Sequence, residues 1–260
     1  LESVGKMEKA FGLPAMGEHY AKIASAVKVA IRKKYWDVSR GLFADTYKHN
    51  SFSQHVNSLA VLAGVITGDE ARQVMHSVLT GIDLIQVTIY FRYYLNQALN
   101  KAGLGDELLE HLGVWKEQMA LGLTTWAERP EPSRSDCHAW GASPNIEFYR
   151  VVLGIDSDAP GFGKVRIAPN LGTLKKVSGT VPHPLGDIAV NYEVDKKGKL
   201  IATVDLPENI KGTFVWKGQN YPLVSGHQAF TINQQASAGQ RKYYVSSSTG
   251  DDSNDGLAKQ

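Results

Sequence analysis

Between Gly122 and Ser143 the chain gathers Trp126, Glu128, Arg129, Glu131, Arg134, Asp136, Cys137, His138 and Trp140. Aromatic rings beside carboxylates suit a sugar: the C–H faces of a pyranose stack on indole, while carboxylates and histidine take hydroxyls and move protons. The same composition also describes two core tryptophans with their charged neighbours paired on the surface, and residue types alone leave both readings open. Asp136, Cys137 and His138 do not suggest a metal site. Adjacent residues on an extended segment point apart, and no second cluster completes a shell. The phosphate-binding Gly-Lys-Ser/Thr loop and His-Glu-x-x-His are absent, and Gly161-Phe162-Gly163 lacks the third glycine of a dinucleotide site. No metal and no cofactor are expected.

The loop must be carried by helices. Tyr20, Ile23, Ala24, Val27 and Ile31 fall on one face of an amphipathic helix. The stretch from Tyr35 to Asn50 breaks that period and reads as a loop. Ser53 is placed to cap a helix carrying Val56, Leu59, Ala60 and Ala63, and Asp69 to cap one with Ala71, Val74 and Val78. Phe91, Leu95, Ala98, Leu99 and Ala102 mark a fourth helix, stopped by Gly103. Leu108, Leu112, Trp115 and Met119 mark a fifth. Pro144 suits the first turn of a last helix reaching Leu153. A polar-aromatic loop as long as 122–143 inside such a domain is functional or disordered, and two tryptophans argue against disorder.

After Gly154 the period changes to two. Ile188, Val190, Tyr192 and Val194 alternate with polar neighbours, as do Leu200, Ala202, Val204 and Leu206, with Lys196-Lys197-Gly198 as the turn between them. A second pair of strands flanks a turn at Lys217-Gly218-Gln219-Asn220, with Trp216 facing the core. Together these predict a small β-sandwich over 164–232. The fold class is therefore mainly α, then β.

Composition narrows the function. Of 260 residues, 43% are hydrophobic and 21% charged, and 28 Lys and Arg against 26 Asp and Glu leave a net charge of +2. That balance does not suit a nucleic-acid binder that works by neutralising phosphates. The single cysteine, Cys137, excludes an intrachain disulfide. No apolar run approaches the roughly 20 residues that cross a bilayer, so no membrane partner is expected. The chain opens on Leu1 and stops soon after a new polar segment begins. It reads as an internal piece of a longer protein, with any targeting signal outside it.

Several stretches resemble the α-L-rhamnosidases of glycoside hydrolase family 78. Leu123-Thr124-Thr125-Trp126-Ala127-Glu128, with Ser133-Arg134-Ser135-Asp136-Cys137-His138-Ala139-Trp140-Gly141-Ala142-Ser143-Pro144-Asn145, is similar to that family's late barrel segment. Phe52 through Ala60 and Thr88 through Leu99 resemble inner barrel helices, and Gly163 through Pro169 resembles the exit into the C-terminal sandwich.

The resemblance implies that residues 1–160 are the last part of a six-hairpin (α/α)6 barrel and 161–232 a β-sandwich. It implies an inverting glycoside hydrolase that releases terminal α-L-rhamnose from oligo- or polysaccharides. The position matching the general base is Glu128, although Ala127 separates it from Trp126 where many members place the glutamate directly after the tryptophan; Glu131 is the reserve. His138 maps onto a sugar-contacting histidine, and Trp126 and Trp140 become walls of the pocket. Gln54 and His55 lie on a helix that the family points towards the barrel centre, though His55 also reads as a satisfied buried histidine. The family's general acid lies upstream of this chain, so the chain alone is expected to be inactive. Residues 233–260 read as a linker and, from Tyr243, the opening of a β-helix module that resembles those of polysaccharide-degrading enzymes. A periplasmic or secreted location follows from that reading. Two alternatives stay open: a related six-hairpin enzyme, either a glycosidase for another sugar or a lyase in which Arg129 and Arg134 neutralise a uronate, and a glycan-binding scaffold without chemistry.

Overall fold

A computed structural model describes residues 1–233 of the chain. The linker and β-helix opening expected over 233–260 lie, from Gln234 onward, outside the described residues. The helical region begins with a hairpin of α1 (Glu2–Ala10) and α2 (Pro14–Tyr35). The backbones touch at two glycines: a Cβ on Gly17 would stand 2.6 Å from the carbonyl oxygen of Gly5. Pro14 opens α2, where its missing N–H costs no hydrogen bond. The amphipathic face expected on α2 is only partly used, since Ala24 is buried while Ile23 and Val27 are exposed.

The segment 35–50, read above as a loop, contains a small antiparallel ladder of β1 (Trp36–Asp37) and β2 (Leu42–Phe43). Asn57 on α3 (Gln54–Leu62) holds it. Its side chain accepts from Phe43 N–H at 2.8 Å and donates to Phe43 C=O at 3.1 Å, much as a neighbouring strand would. Ser53 caps α3 as expected, its Oγ accepting from Val56 N–H at 3.3 Å. The cap of α4 (Gly68–Thr80) differs. Thr67 is the N-cap residue, because Gly68 at φ +59° sets the entry and Asp69 falls inside the first turn. There its charge favours the positive end of the helix. Helices α3, α4 and α5 (Ile89–Lys101) bury Phe43, Val61, Met75, Val78, Leu95 and Leu99 in one core.

The expected fifth helix is two pieces, a 3₁₀ segment (Gly105–His111) and α6 (Gly113–Ala120). They part at Leu112, whose ψ of 13° leaves the helical range while its side chain stays buried beside Ile89 and Trp115. The last helix is short: α7 (Ser143–Glu147), with Pro144 in its first turn, continues as a π-helical turn over Phe148–Val152.

Two four-stranded sheets follow. One runs β10-β7-β6-β5, from β5 (Lys176–His183), β6 (Gly186–Val194), β7 (Leu200–Leu206) and β10 (Gly226–Ile232). The other runs β3-β4-β8-β9, from β3 (Ile155–Ser157), β4 (Lys164–Ile167), β8 (Lys211–Trp216) and β9 (Gln219–Leu223). Sheet residues thus begin at Ile155, ahead of the expected boundary. The expected alternation is the register: Val190 pairs with Val204 and Tyr192 with Ala202. The second turn is tighter than expected. Lys217 and Gly218, both at positive φ, make it alone, and Gln219 and Asn220 already belong to β9. Ile188, Tyr192, Leu200 and Val204 from one sheet meet Val165, Ile167, Phe214 and Leu223 from the other in a single core.

The sheets are tied to the helices by hydrogen bonds from Tyr192 Oη to Leu153 C=O (2.9 Å), Asn170 Nδ2 to Asn100 Oδ1 (3.1 Å) and Gly172 N–H to Asp106 Oδ1 (2.8 Å). At Gly154, φ +73°, a Cβ would lie 2.1 Å from the carbonyl carbon of Ala168. Only glycine allows that approach.

Candidate active site

The loop 122–143 is ordered by its own backbone. Its two limbs pair like a short hairpin: His138 N–H donates to Trp126 C=O at 2.8 Å, and Glu128 N–H to Ser135 C=O at 2.9 Å. Between these rungs Ala127 turns inward, and its N–H donates to Oε1 of buried Gln118 at 2.9 Å. The base of the loop is pinned where Trp115 Nε1 donates to Gly141 C=O at 2.6 Å. Half-buried Trp126 packs on the cluster of Ile89, Leu112 and Trp115, and a Cβ on Gly141 would stand only 2.7 Å from Trp126 Cβ. Trp126 therefore anchors the loop.

On this frame Glu128 keeps 10% of its side chain exposed and receives the guanidinium of Arg134 in a two-bond fork, Nε to Oε2 and Nη2 to Oε1, both 2.5 Å. Hydrogen bonding from Arg134, reinforced by its charge and by those of His138 and Arg129, holds the Glu128 carboxyl below the usual glutamate range. The group is an anion at neutral pH. Glu131 is placed differently. It is exposed, it accepts from Ser133 N–H at 3.1 Å, and it edges a separate concavity of about 200 Å³ with Val114, Gln118, Leu123 and Arg129.

Beside Glu128, the ring of His138 lies 4.1 Å from that of Trp140, which is 41% exposed. From there an aromatic band crosses to α5: Trp140 to Tyr90 at 5.1 Å, Tyr90 to Tyr94 at 6.1 Å, Tyr94 to Phe91 at 4.9 Å, and Phe91 to His55 at 4.4 Å. His55 thus sits at the far end of the band, where burial lowers its pKa against the pull of Asp45. Gln54 is not on the band. Its amide is engaged at both ends, donating to Val78 C=O and accepting from Val87 N–H, each at 3.0 Å, and only 5% of the residue is exposed. It holds the chain between α4 and α5, and no sugar contact is assigned to it.

The structure therefore brings together Glu128, His138, Trp126 and Trp140, joins His55 to them through other rings, and sets Gln54 apart. Arg134 as the partner of Glu128, and Tyr90 and Tyr94 as the continuation of the aromatic face, were not foreseen. The two tyrosines had a signal: they stand four apart on α5, flanking its buried stripe. Buried Glu147 was also missed. Its Oε2 accepts from Asn96 Nδ2 at 2.7 Å, and burial raises its pKa to about 7. Among the described residues no group of three or more His, Cys, Asp or Glu is gathered as a metal site, and no helix is long and apolar enough to cross a membrane.

The helices thus lead through a paired loop of carboxylate, histidine and indole into two packed sheets. Residues 154–230 match the family described as the bacterial alpha-L-rhamnosidase C-terminal domain. Beyond that domain, the chain is similar to the C-terminal region of family 78 α-L-rhamnosidases. An alpha-L-rhamnosidase of Alteromonas sp. (strain LOR) is 38% identical over 138 residues, 46% of this chain and 15% of that protein. The crystal structure of the family 78 rhamnosidase of Bacillus sp. GL1 superposes with a TM-score of 0.70 at 25% identity, covering 80% of this chain and 24% of that one. The Streptomyces avermitilis α-L-rhamnosidase, solved in complex with L-rhamnose, shares the fold with a TM-score of 0.72 at 16% identity, over 88% of this chain and 25% of that one. The chain thus spans a quarter or less of the length of these relatives.

Proposed function

We propose that this chain is the closing part of the catalytic domain of an inverting α-L-rhamnosidase, with Glu128 as the general base. In this reading residues 1–160 complete an (α/α)6 barrel, 161–232 form the appended sandwich, and the general acid comes from a part of the protein outside this chain. The observation that carries the proposal is the setting of Glu128: a nearly enclosed carboxylate, kept anionic by Arg134, beside the His138–Trp140 pair at the end of an aromatic band. Apolar residues left exposed on α1 and α2, among them Met7, Met16, Val27 and Val29, fit helices that further barrel helices cover.

In this reading the apolar face and methyl group of a terminal rhamnose lie against Trp140, with His138 bonding to a hydroxyl. Ionised Glu128 takes a proton from a water held between it and the anomeric carbon. The leaving oxygen is protonated from the opposite face by the acid, the two carboxyls standing about 6.5–9.5 Å apart as inversion requires. The substrate is a rhamnose-bearing oligo- or polysaccharide, met in the periplasm or outside the cell. A lyase is less well supported, because Arg134 is already bound to Glu128, and Arg129 Nε donates to Pro132 C=O.

The test is hydrolysis of an aryl α-L-rhamnoside by the full-length protein and by its Glu128→Gln variant. Loss of the base should lower kcat by about 10²–10⁴-fold with the fold intact. Undiminished turnover in the variant would move the base to Glu131 or elsewhere.

A further inference from the structure

Glu128 has one set of side-chain partners among the described residues, the two N–H groups of Arg134. The pair is lopsided, with 74% of the Arg134 side chain exposed against 10% of Glu128. An ion pair reaching so far into solvent contributes little to stability. The backbone nevertheless holds it with care. Ser133 Oγ donates to Ser135 C=O at 2.9 Å and accepts from Ser135 N–H at 3.3 Å, and that same Ser135 carbonyl takes the N–H of Glu128. Arg134 thus sits on a tight turn whose far side is bonded to the residue its own side chain grips.

The last torsion of a glutamate is soft, so an unrestrained carboxylate turns through a wide range of planes. A guanidinium fork bonded to both oxygens fixes that plane, and a lysine, a point charge, does not. The inner lone pair of each oxygen then goes to arginine, and an outer one remains for water. We infer that Arg134 is the positioning residue of Glu128: it fixes the plane of the carboxylate so that one outer lone pair faces the attacking water. This inference rests on the assignment of Glu128 as the base. Arg134 touches neither sugar nor water and acts through Glu128 alone. Because it also favours the anion, it sets the low-pH edge of activity.

The experiment measures kcat and KM against pH for the full-length protein and its Arg134→Gln, Arg134→Lys and Glu128→Gln variants, with an aryl α-L-rhamnoside. Arg134 is exposed enough for both of its replacements to fold. Arg134→Gln should lower kcat by about 10- to 100-fold with KM within about twofold, as expected for a misaligned base. Its acid limb should also move to higher pH. Arg134→Lys should return the limb towards its original pH while leaving kcat depressed, because charge is restored and the fork is not. If Arg134→Gln keeps the kcat and the acid limb of the wild type while Glu128→Gln is inactive, the inference fails and the base assignment stands. A rise in KM alone would make Arg134 a substrate contact and overturn the inference as well. If Glu128→Gln retains full activity, or the wild type has none, the base assignment falls and takes the inference with it.

Discussion

The two halves of the molecule bury different things. In the sheet region, from Ile155 to Ile232, the core is apolar, and Tyr192 reaches it with its hydroxyl bonded to Leu153 C=O. Among the described residues, the buried polar side chains (Ser53, Gln54, Asn57, Ser58, Asn96, Gln118 and Glu147) all lie in the helical region. Exposure differs in the same direction. The sheet region leaves Leu185, Ile201 and Val224 as its exposed large apolar residues, whereas α1 and α2 alone expose Val4, Met7, Met16, Ile23, Val27 and Val29. A sandwich closes on itself by alternation, so shape and volume suffice to define it. Helices joined by irregular loops must bury backbone ends that no ladder satisfies, and buried amides and hydroxyls supply the missing partners. The sheets should therefore be sensitive to lost volume and indifferent to pH, and the helices sensitive to lost hydrogen bonds and to protonation.

The largest expected effect is in the sheets. Phe214 is fully buried and its ring stacks on Phe230 at 5.2 Å, with Tyr221 and Tyr192 beside it. Phe214→Ala should cost about 3–5 kcal/mol in urea unfolding, and the same amount at pH 5 and pH 8. A strongly pH-dependent cost would break the contrast. Next is Asn57→Ala in the helices. It removes both bonds to the Phe43 backbone and the bond to Ser53 C=O, and leaves those groups buried. A loss of about 2–4 kcal/mol is expected, with faster amide exchange at Phe43. Asn57→Asp should be no rescue, because it cannot donate.

The same contrast explains what could be read from the sequence. Alternation at Ile188–Val194 and Leu200–Leu206 is a direct image of the pleat, so β6, β7 and their pairing were visible. The cap at Ser53 and the stop at Gly103 were visible because side-chain chemistry and glycine act locally. The ladder at Trp36–Phe43 was not, since a strand pair this short is held by Asn57, a residue from another element. The split at Leu112 was hidden likewise, because burial beside Ile89 and Trp115 overrides the local period. Within the candidate site, the types of Glu128, His138 and Trp140 drew attention, and hairpin pairing of the limbs put them together. Arg134 was one of several charges in a loop until Ser133 and Ser135 turned it towards Glu128. For Gln54 the resemblance implies a sugar contact, and the structure shows its amide engaged by the backbone of Val78 and Val87.

Glu147 offers the sharper test of protonation. It is fully buried, its Oε1 has no partner, and the hydroxyl of Ser143, one turn earlier on α7, is also unpartnered. Burial dominates its raised pKa of about 7 against an ordinary 4.5, with the hydrogen bond from Asn96 opposing it. For an acid whose folded pKa is raised, the folded state binds more protons than the unfolded chain between the two values. Stability therefore falls as pH rises from about 4.5 to about 7 and stays at the lower level above. A difference of that size corresponds to about 3 kcal/mol. Glu147→Gln, which mimics the neutral acid, should match the wild type near pH 4.5 and exceed it by about that amount at pH 8. Parallel pH profiles for the two proteins would show that Glu147 does not titrate in this range.

The smallest effect belongs to His49, which closes the loop after α2. It stands at φ +54°, uncommon for a side-chain-bearing residue, and both its ring nitrogens face acceptors: Nδ1 the carboxylate of Asp37 at 2.9 Å and Nε2 the carbonyl of Lys34 at 3.1 Å. Only the doubly protonated ring donates to both. Hydrogen bonding to Asp37 first, then to Lys34, raises the histidine pKa. Bonds from Ser39, His49 and Arg40 lower that of Asp37 to about 2. The signs are opposite. What His49 contributes is complete below its unfolded pKa of about 6.5 and is lost as pH rises through the folded value. What Asp37 contributes is complete above about 3.8 and is lost as pH falls towards 2. The clasp is thus whole between roughly pH 4 and 6.5. Because both groups are near solvent, the consequence is local: as pH rises, amide exchange along Trp36–Phe43 should quicken while the sheets keep their protection. The His49 ring proton, followed by NMR, should titrate above 6.5, and in Asp37→Asn it should fall back towards that value. A midpoint untouched by that substitution would mean that the Asp37 contact does not govern the ring, and the helical region would lose one of its two proton-dependent fastenings.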